Sequence, residues 1–158
     1  LGARDTLRLA AGLALYGHER ARATTPIEAG LERFICLGRG FVGEAALTEH
    51  LQSRPMKRLV GIATDDRRSI ARRGYKVMRA GREAGAITSG TYAPSFDRPL
   101  AMAYLSAAAA DAAGNFEVEI RDRRSPATLM SLPFYRRAAA KAAGHWARAH
   151  NIAPTGRG

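Results

Sequence analysis

With 158 residues, 46% of them hydrophobic, the chain can form one ordinary domain or two small ones around a packed core, which excludes overall disorder. It contains no run of about 18 apolar residues, which excludes a membrane-spanning helix, and no charged, apolar and cleavable opening segment, so no secretion signal is visible. A formal net charge of +11 favours polyanions such as nucleic acid, acidic proteins or phosphate-rich ligands, although the arginine- and alanine-rich composition of a GC-rich coding sequence would produce the same balance.

The first residue is Leu1 rather than methionine, which suggests a fragment whose missing N-terminal half could hold the chemistry. Residues 3 to 15 place Ala3, Leu7, Ala10, Ala11 and Ala14 at three- and four-residue spacings, one face of a helix. Asp5 sits near its positive end, and Gly12 weakens its last turn. Residues 18 to 25 are polar. Thr24 or Thr25 before Pro26, with Glu28 beyond, reads as the start of a helix that Gly30 soon interrupts. Residues 31 to 37 are too short for periodicity to separate helix from strand. Cys36 is the only cysteine, which rules out an intrachain disulfide and fits a reducing compartment. Ile35 and Leu37 on either side of it predict a buried structural thiol. Gly38-Arg39-Gly40 is a loop, and residues 43 to 52 form a second helix stopped before Pro55.

From Lys57 onward the pattern changes to strands. Residues 57 to 64 and 74 to 79 are strands. The stretch from Gly85 to Leu105 is a long-loop hairpin turned by Pro94, Ser95, Asp97 and Pro99, with Gly90 marking a bulge or a close backbone approach. Phe116, Val118 and Ile120 alternate with Glu117, Glu119 and Arg121 as in a half-buried strand. Arg123-Arg124 bridges to a last strand over 125 to 132. About six short strands between 57 and 134 predict an antiparallel barrel or sandwich. Residues 136 to 150 carry a helical pattern in a basic, acid-free tail, and the final residues are expected to be mobile.

Seven basic residues and no acid lie between Arg67 and Arg82. They read either as a solvated loop and edge strand, where arginine discourages edge pairing, or as a patch for nucleic acid or an acidic partner. His18, His50, His145 and His150 lack metal-ligand spacing. No Ser-His-Asp order, phosphate loop or dinucleotide fingerprint is present.

The order of residues is more specific than the pattern. The run Gly85-Ala-Ile-Thr-Ser-Gly-Thr-Tyr-Ala-Pro-Ser95, followed by Leu100-Ala-Met-Ala-Tyr104, resembles the C-terminal barrel of the aminomethyltransferase family, which includes the glycine-cleavage T-protein and its folate-dependent relatives. Leu1 to Gly17 is similar to that family's Gly-x-Ala-Arg-Asp-Thr-Leu-Arg-Leu-Glu-Ala-Gly-Leu motif and the Leu-Tyr-Gly after it. Thr25 to Leu31, Phe41 to Leu47, Arg58 to Gly61, Gly74 to Val77 and Leu132 to Phe134 fit as well.

The resemblance implies an α+β chain. Residues 1–53 would be the helical and strand remnant of a folate-binding domain, 57–135 a six-stranded antiparallel barrel, and 136–158 a basic helical tail, partly disordered. It implies transfer of a methylene group from the aminomethyl-lipoyl arm of the H-protein to tetrahydrofolate, with release of ammonia. The implied partners are the lipoylated H-protein and the N-terminal half of the same enzyme, in the cytoplasm, with no metal, membrane or nucleic acid. The family's H-protein is generally acidic, so the basic run could aid docking. Arg4 corresponds to the arginine that lines the folate and substrate cavity, where a planar guanidinium suits carboxylate or pterin edges. Tyr135 and Arg136 are expected to reach the same cavity, and Arg8 to make structural contacts. The catalytic aspartate and most of the pterin pocket would lie outside this chain, which alone is expected to be inactive.

This sequence departs from the family where Ala10 replaces the motif glutamate and Glu19 to Ala23 replaces an acidic stretch. Two other readings remain: a folate module of a sarcosine or dimethylglycine dehydrogenase or demethylase, and a basic nucleic-acid- or protein-binding barrel.

Overall fold

A computed structural model describes residues 2–112 and 114–136. Its first helix, α1, spans Gly2–Ala10, and α2 spans Glu44–Ser53. Six strands follow: β1 Lys57–Thr64, β2 Lys76–Arg79, β3 Arg82–Ala93, β4 Arg98–Ser106, β5 Phe116–Ile120 and β6 Arg123–Met130. A short helix, α3, occupies Ala107–Asp111 between β4 and β5. The strands close in the order β1-β4-β3-β2-β5-β6, every pair antiparallel, with β6 returning to β1. The α+β class and the six-stranded barrel are those expected. The tail helix over 136–150 and the basic tail fall outside the described residues, apart from Arg136.

Turn chemistry sets the strand limits. Arg79 pairs with Arg82, and the two residues between them, Ala80 and Gly81, both have positive φ (48° and 77°), the geometry that matches strand twist in a two-residue hairpin. Likewise Ile120 pairs with Arg123 across Arg121 and Asp122. Arg123 and Arg124 are therefore the start of β6, not a bridge to it. The sequence's polar residues hid this, because both side chains are exposed.

The predicted bulge and close approach are two separate features. The β3–β4 register shifts between Ile87 and Ser89, so the bulge is at Thr88. At Gly90 a Cβ would collide with the Ala71 carbonyl oxygen, so glycine there permits the 65–75 connection to cross β3.

Apolar residues divide between two layers. Ile62, Val77, Ile87, Ala101, Ala103, Leu105, Phe116 and Val118 pack together inside the ring. Ala63, Leu100 and Met102 alternate with them and pack with Leu9 of α1. β4 is thus buried on both faces, which explains why Leu100 to Leu105 is almost uninterruptedly apolar.

The helix α1 is shorter than predicted. The Gly12 N–H donates to the Leu9 carbonyl at 2.9 Å and the Leu13 N–H to the Arg8 carbonyl at 2.8 Å, with Gly12 at φ +63°. This paired closure ends the helix around a left-handed glycine. Thr25 and Glu28 make the expected reciprocal cap, the Thr25 N–H to Glu28 Oε2 at 2.8 Å and the Glu28 N–H to Thr25 Oγ1 at 3.2 Å. Only one turn follows before Gly30 takes positive φ (68°). Cys36 is exposed, contrary to the sequence expectation, because the segment after Phe34 packs under nothing.

Candidate functional site

α1 carries two different faces. Leu9 is fully buried against the barrel, while Arg4 and Leu7, three residues apart and so neighbours on the helix surface, point outward. Leu7 is 70% exposed. The Arg4 side chain is exposed and has no hydrogen bond or ion pair among the described residues. The Tyr135 N–H donates to the Ala10 carbonyl at 2.8 Å, which clips the chain after the barrel to the C-terminal end of α1. The Tyr135 side chain and Arg136 are both exposed. Arg4 and Tyr135 are thus held toward opposite ends of one helix, and no hydrogen bond or ion pair among the described residues joins them.

Leu7 is one of several large apolar side chains left exposed before the barrel. Leu13, Tyr16, Phe34, Phe41, Val42, Leu51 and Met56 are all exposed, and Val42 is fully so. The residues from 2 to 56 hold the majority of the large exposed hydrophobic side chains, and α2 buries none of its residues. A helix that buries none of its residues has no packing partner among the described residues.

A polar network fastens the pre-barrel segment to the barrel. Glu19 is fully buried. Its Oε2 accepts from Arg8 Nη1 at 3.2 Å and from the Leu15 N–H at 2.9 Å, and its Oε1 accepts from the Ser89 hydroxyl. Arg8 also donates to Asp5 Oδ1 at 2.8 Å and to Ser89 Oγ at 2.9 Å. The Tyr104 hydroxyl donates to the Glu19 carbonyl at 2.6 Å. His18 Nδ1 lies 3.2 Å from the Thr88 carbonyl. The Thr88 bulge places Thr88 and Ser89 in this buried junction. Burial, with Glu28 and Glu19 nearby, pushes the Tyr104 hydroxyl far above its ordinary pKa.

Arg8 has the structural role expected of it. The sequence reading missed Glu19, which sits in a polar stretch with no local sign of burial. The only signal was its position shortly after the Leu-Tyr-Gly that ends the first motif.

The basic run from 67 to 82 does not form one patch. Arg67 pairs with Asp97, Lys76 with Glu83 at 3.0 Å, and the Arg79 guanidinium stacks 5.9 Å from the Phe116 ring centre. Among the described residues no three His, Cys, Asp or Glu side chains converge as metal ligands, and no helix is long and apolar enough to cross a membrane.

The model of the glycine cleavage T-protein C-terminal barrel domain matches residues 57–136. An aminomethyltransferase of Parasynechococcus marenigrum (strain WH8102) is 45% identical over 139 residues, which cover 87% of this chain and 38% of that protein. One from Moorella thermoacetica is 46% identical over 138 residues, 87% of this chain and 37% of that protein. The crystal structure of glycine cleavage system aminomethyltransferase T from Bartonella henselae superimposes with a TM-score of 0.77 at 36% identity, over 84% of this chain and 38% of that one. The chain therefore spans less than two fifths of the length of these relatives.

Proposed function

Because the chain belongs to the family of glycine cleavage T-protein C-terminal barrels, we propose that it is the C-terminal portion of a cytoplasmic aminomethyltransferase. In the proposed reaction the one-carbon unit of an aminomethyl-lipoyl arm, carried by the H-protein, passes to tetrahydrofolate as ammonia leaves. Residues 1–53 are the end of the folate-binding domain and 57–135 are the barrel domain that walls the cavity. Arg4 is the chain's main contribution to that cavity, with Tyr135 and Arg136 at its edge. The acid that steers protonation and most of the pterin site come from the preceding portion of the enzyme.

One observation carries this reading: Arg4 stands unpaired beside the exposed Leu7, in a segment before the barrel that leaves large apolar side chains uncovered as far as Met56. A companion domain laid on that segment would bury the leucine and enclose the guanidinium in a water-poor site. There its fixed fork of donors would bind a carboxylate or a pterin edge strongly. The relatives named above are aminomethyltransferases, which favours this reaction over that of a dehydrogenase or demethylase.

The test is reconstitution. This chain is mixed with the separately produced N-terminal portion of the Moorella thermoacetica relative, and ammonia release is followed with aminomethylated H-protein and tetrahydrofolate. The expected result is no turnover by the chain alone and turnover by the pair. Loss of a charge-assisted contact should make the pair with Arg4→Ala about tenfold or more slower in kcat/KM. Turnover by the chain alone, or an active pair indifferent to Arg4→Ala, would overturn the assignment.

A further inference from the structure

At one rim of the barrel the β1–β2 connection, residues 65–75, faces the β5–β6 turn across a cleft of about 1010 Å³. The two segments are remote in sequence, yet both bring arginine to it: Arg68 and Arg72 from the connection, Arg121, Arg123 and Arg124 from the turn. Two carboxylates, Asp66 and Asp122, also line it, which leaves a surplus of three positive charges. Asp66 is engaged by its own loop. It accepts from the Arg68 N–H at 3.0 Å and the Ser69 hydroxyl at 2.9 Å, and the Arg68 N–H holds its carboxyl below the usual range.

Several nearby basic side chains are paired, although Arg73 and Arg82 are not among the described residues. Arg67, Lys76 and Arg98 each have a carboxylate partner. In the cleft, Arg124 reaches Glu117 only at 3.9 Å, and Arg72 makes one long contact, 3.5 Å, to the Gly90 carbonyl. The side chains of Arg68, Arg121 and Arg123 have neither hydrogen bond nor ion pair among the described residues. Five guanidinium groups against two carboxylates leave a net repulsion among like charges, which disfavours the isolated fold.

Arg121 also adopts a left-handed backbone (φ 55°) at a turn position that favours asparagine or glycine. Ser125 belongs to the wall of the cleft. Ser125 is 6% exposed, and its Oγ has no hydrogen-bond partner. Buried hydroxyls are ordinarily satisfied, and an orphan one calls for an explanation. Tyr75 and Ile120, packed on the core, add an apolar wall that strengthens the field of the arginines.

We propose that this cleft binds a small polyanion carrying two or more neighbouring phosphate or carboxylate groups. Guanidinium forks from two loops suit oxygens presented in several directions. The volume suits a small molecule better than a single ion. The assignment is independent of the one-carbon chemistry above, since it uses none of Arg4, Tyr135 and Arg136.

Calorimetric titration of the chain with sodium tripolyphosphate and, separately, with citrate at matched ionic strength tests this. Saturable one-to-one binding of at least one probe is expected, and the tighter probe assigns the class. Arg68→Ala and the double variant Arg121→Ala/Arg123→Ala should each weaken it about tenfold or more. Arg82→Ala, outside the cleft, should bind as the parent does. Absence of saturable heat with both probes would overturn the proposal. So would equal weakening by Arg82→Ala, which would show only the general attraction of a +11 chain.

Discussion

Glu19 lies in a segment so polar that local pattern places it in solvent, yet it is fully buried against Arg8 and Ser89. A buried carboxylate stripped of its partner, or the reverse, is costly because the remaining charge has no water to replace it. Glu19→Ala should therefore lower stability by about 3 kcal/mol or more in urea denaturation, and Ser89→Ala by about 1 kcal/mol. Tyr104 belongs to the same junction and gives it a pH dependence. Its folded pKa is raised, chiefly by burial, while the unfolded phenol titrates near pH ~10. The contribution is therefore intact below pH ~10 and is lost as pH rises further, because the unfolded chain releases its proton first. Denaturation midpoints between pH 8 and 11 should fall more steeply for the parent than for Tyr104→Phe. That variant should itself lose about 1 kcal/mol at neutral pH with its bond to the Glu19 carbonyl.

Among the elements, the β3–β4 hairpin was the most legible and the pre-barrel segment the least. Alternation, glycine and proline located β3, its turn and β4, because those signals act within a few residues. Even there the reason for Gly90 is not local. Its missing Cβ makes room for the backbone of Ala71, a residue that sequence pattern does not link to it. Gly90→Ala should cost about 1–3 kcal/mol by forcing that backbone aside. Gly2→Ala, with no atom within 4 Å of the added Cβ, should be neutral within about 1 kcal/mol. Thermal melts of the two variants check the contrast. Gly12, which ends α1 by a local closure, also meets a distant neighbour, since a Cβ there would approach Pro133 Cα at 3.0 Å. α3 escaped notice because alanine carries no periodic signal. It forms where Ser106 Oγ accepts from the Ala109 N–H at 3.3 Å and Ala109 turns inward.

At the scale of the whole molecule, a closed barrel sits beside a segment that buries Leu9 and Ile27 but leaves most of its large apolar side chains exposed. Because Leu7 and Val42 are 70% and 103% exposed, Leu7→Ser and Val42→Ser should leave stability within about 0.5 kcal/mol of the parent. The same changes should reduce concentration-dependent light scattering, since the exposed surface is what drives self-association. A parent that scatters no more than the variants would contradict this. The sequence by itself determined the number of strands and most of their positions, the class of fold and, through motif order, the family, because each is written in short-range periodicity or in residue identity. Only the tertiary structure decided that β6 returns to β1, that Ser89 meets a glutamate 70 residues away, that Cys36 lies outside, and that a run of basic residues divides between paired charges and an open cleft. Each of those depends on burial between segments remote in the chain, and local pattern holds no record of which remote segments will exclude water together.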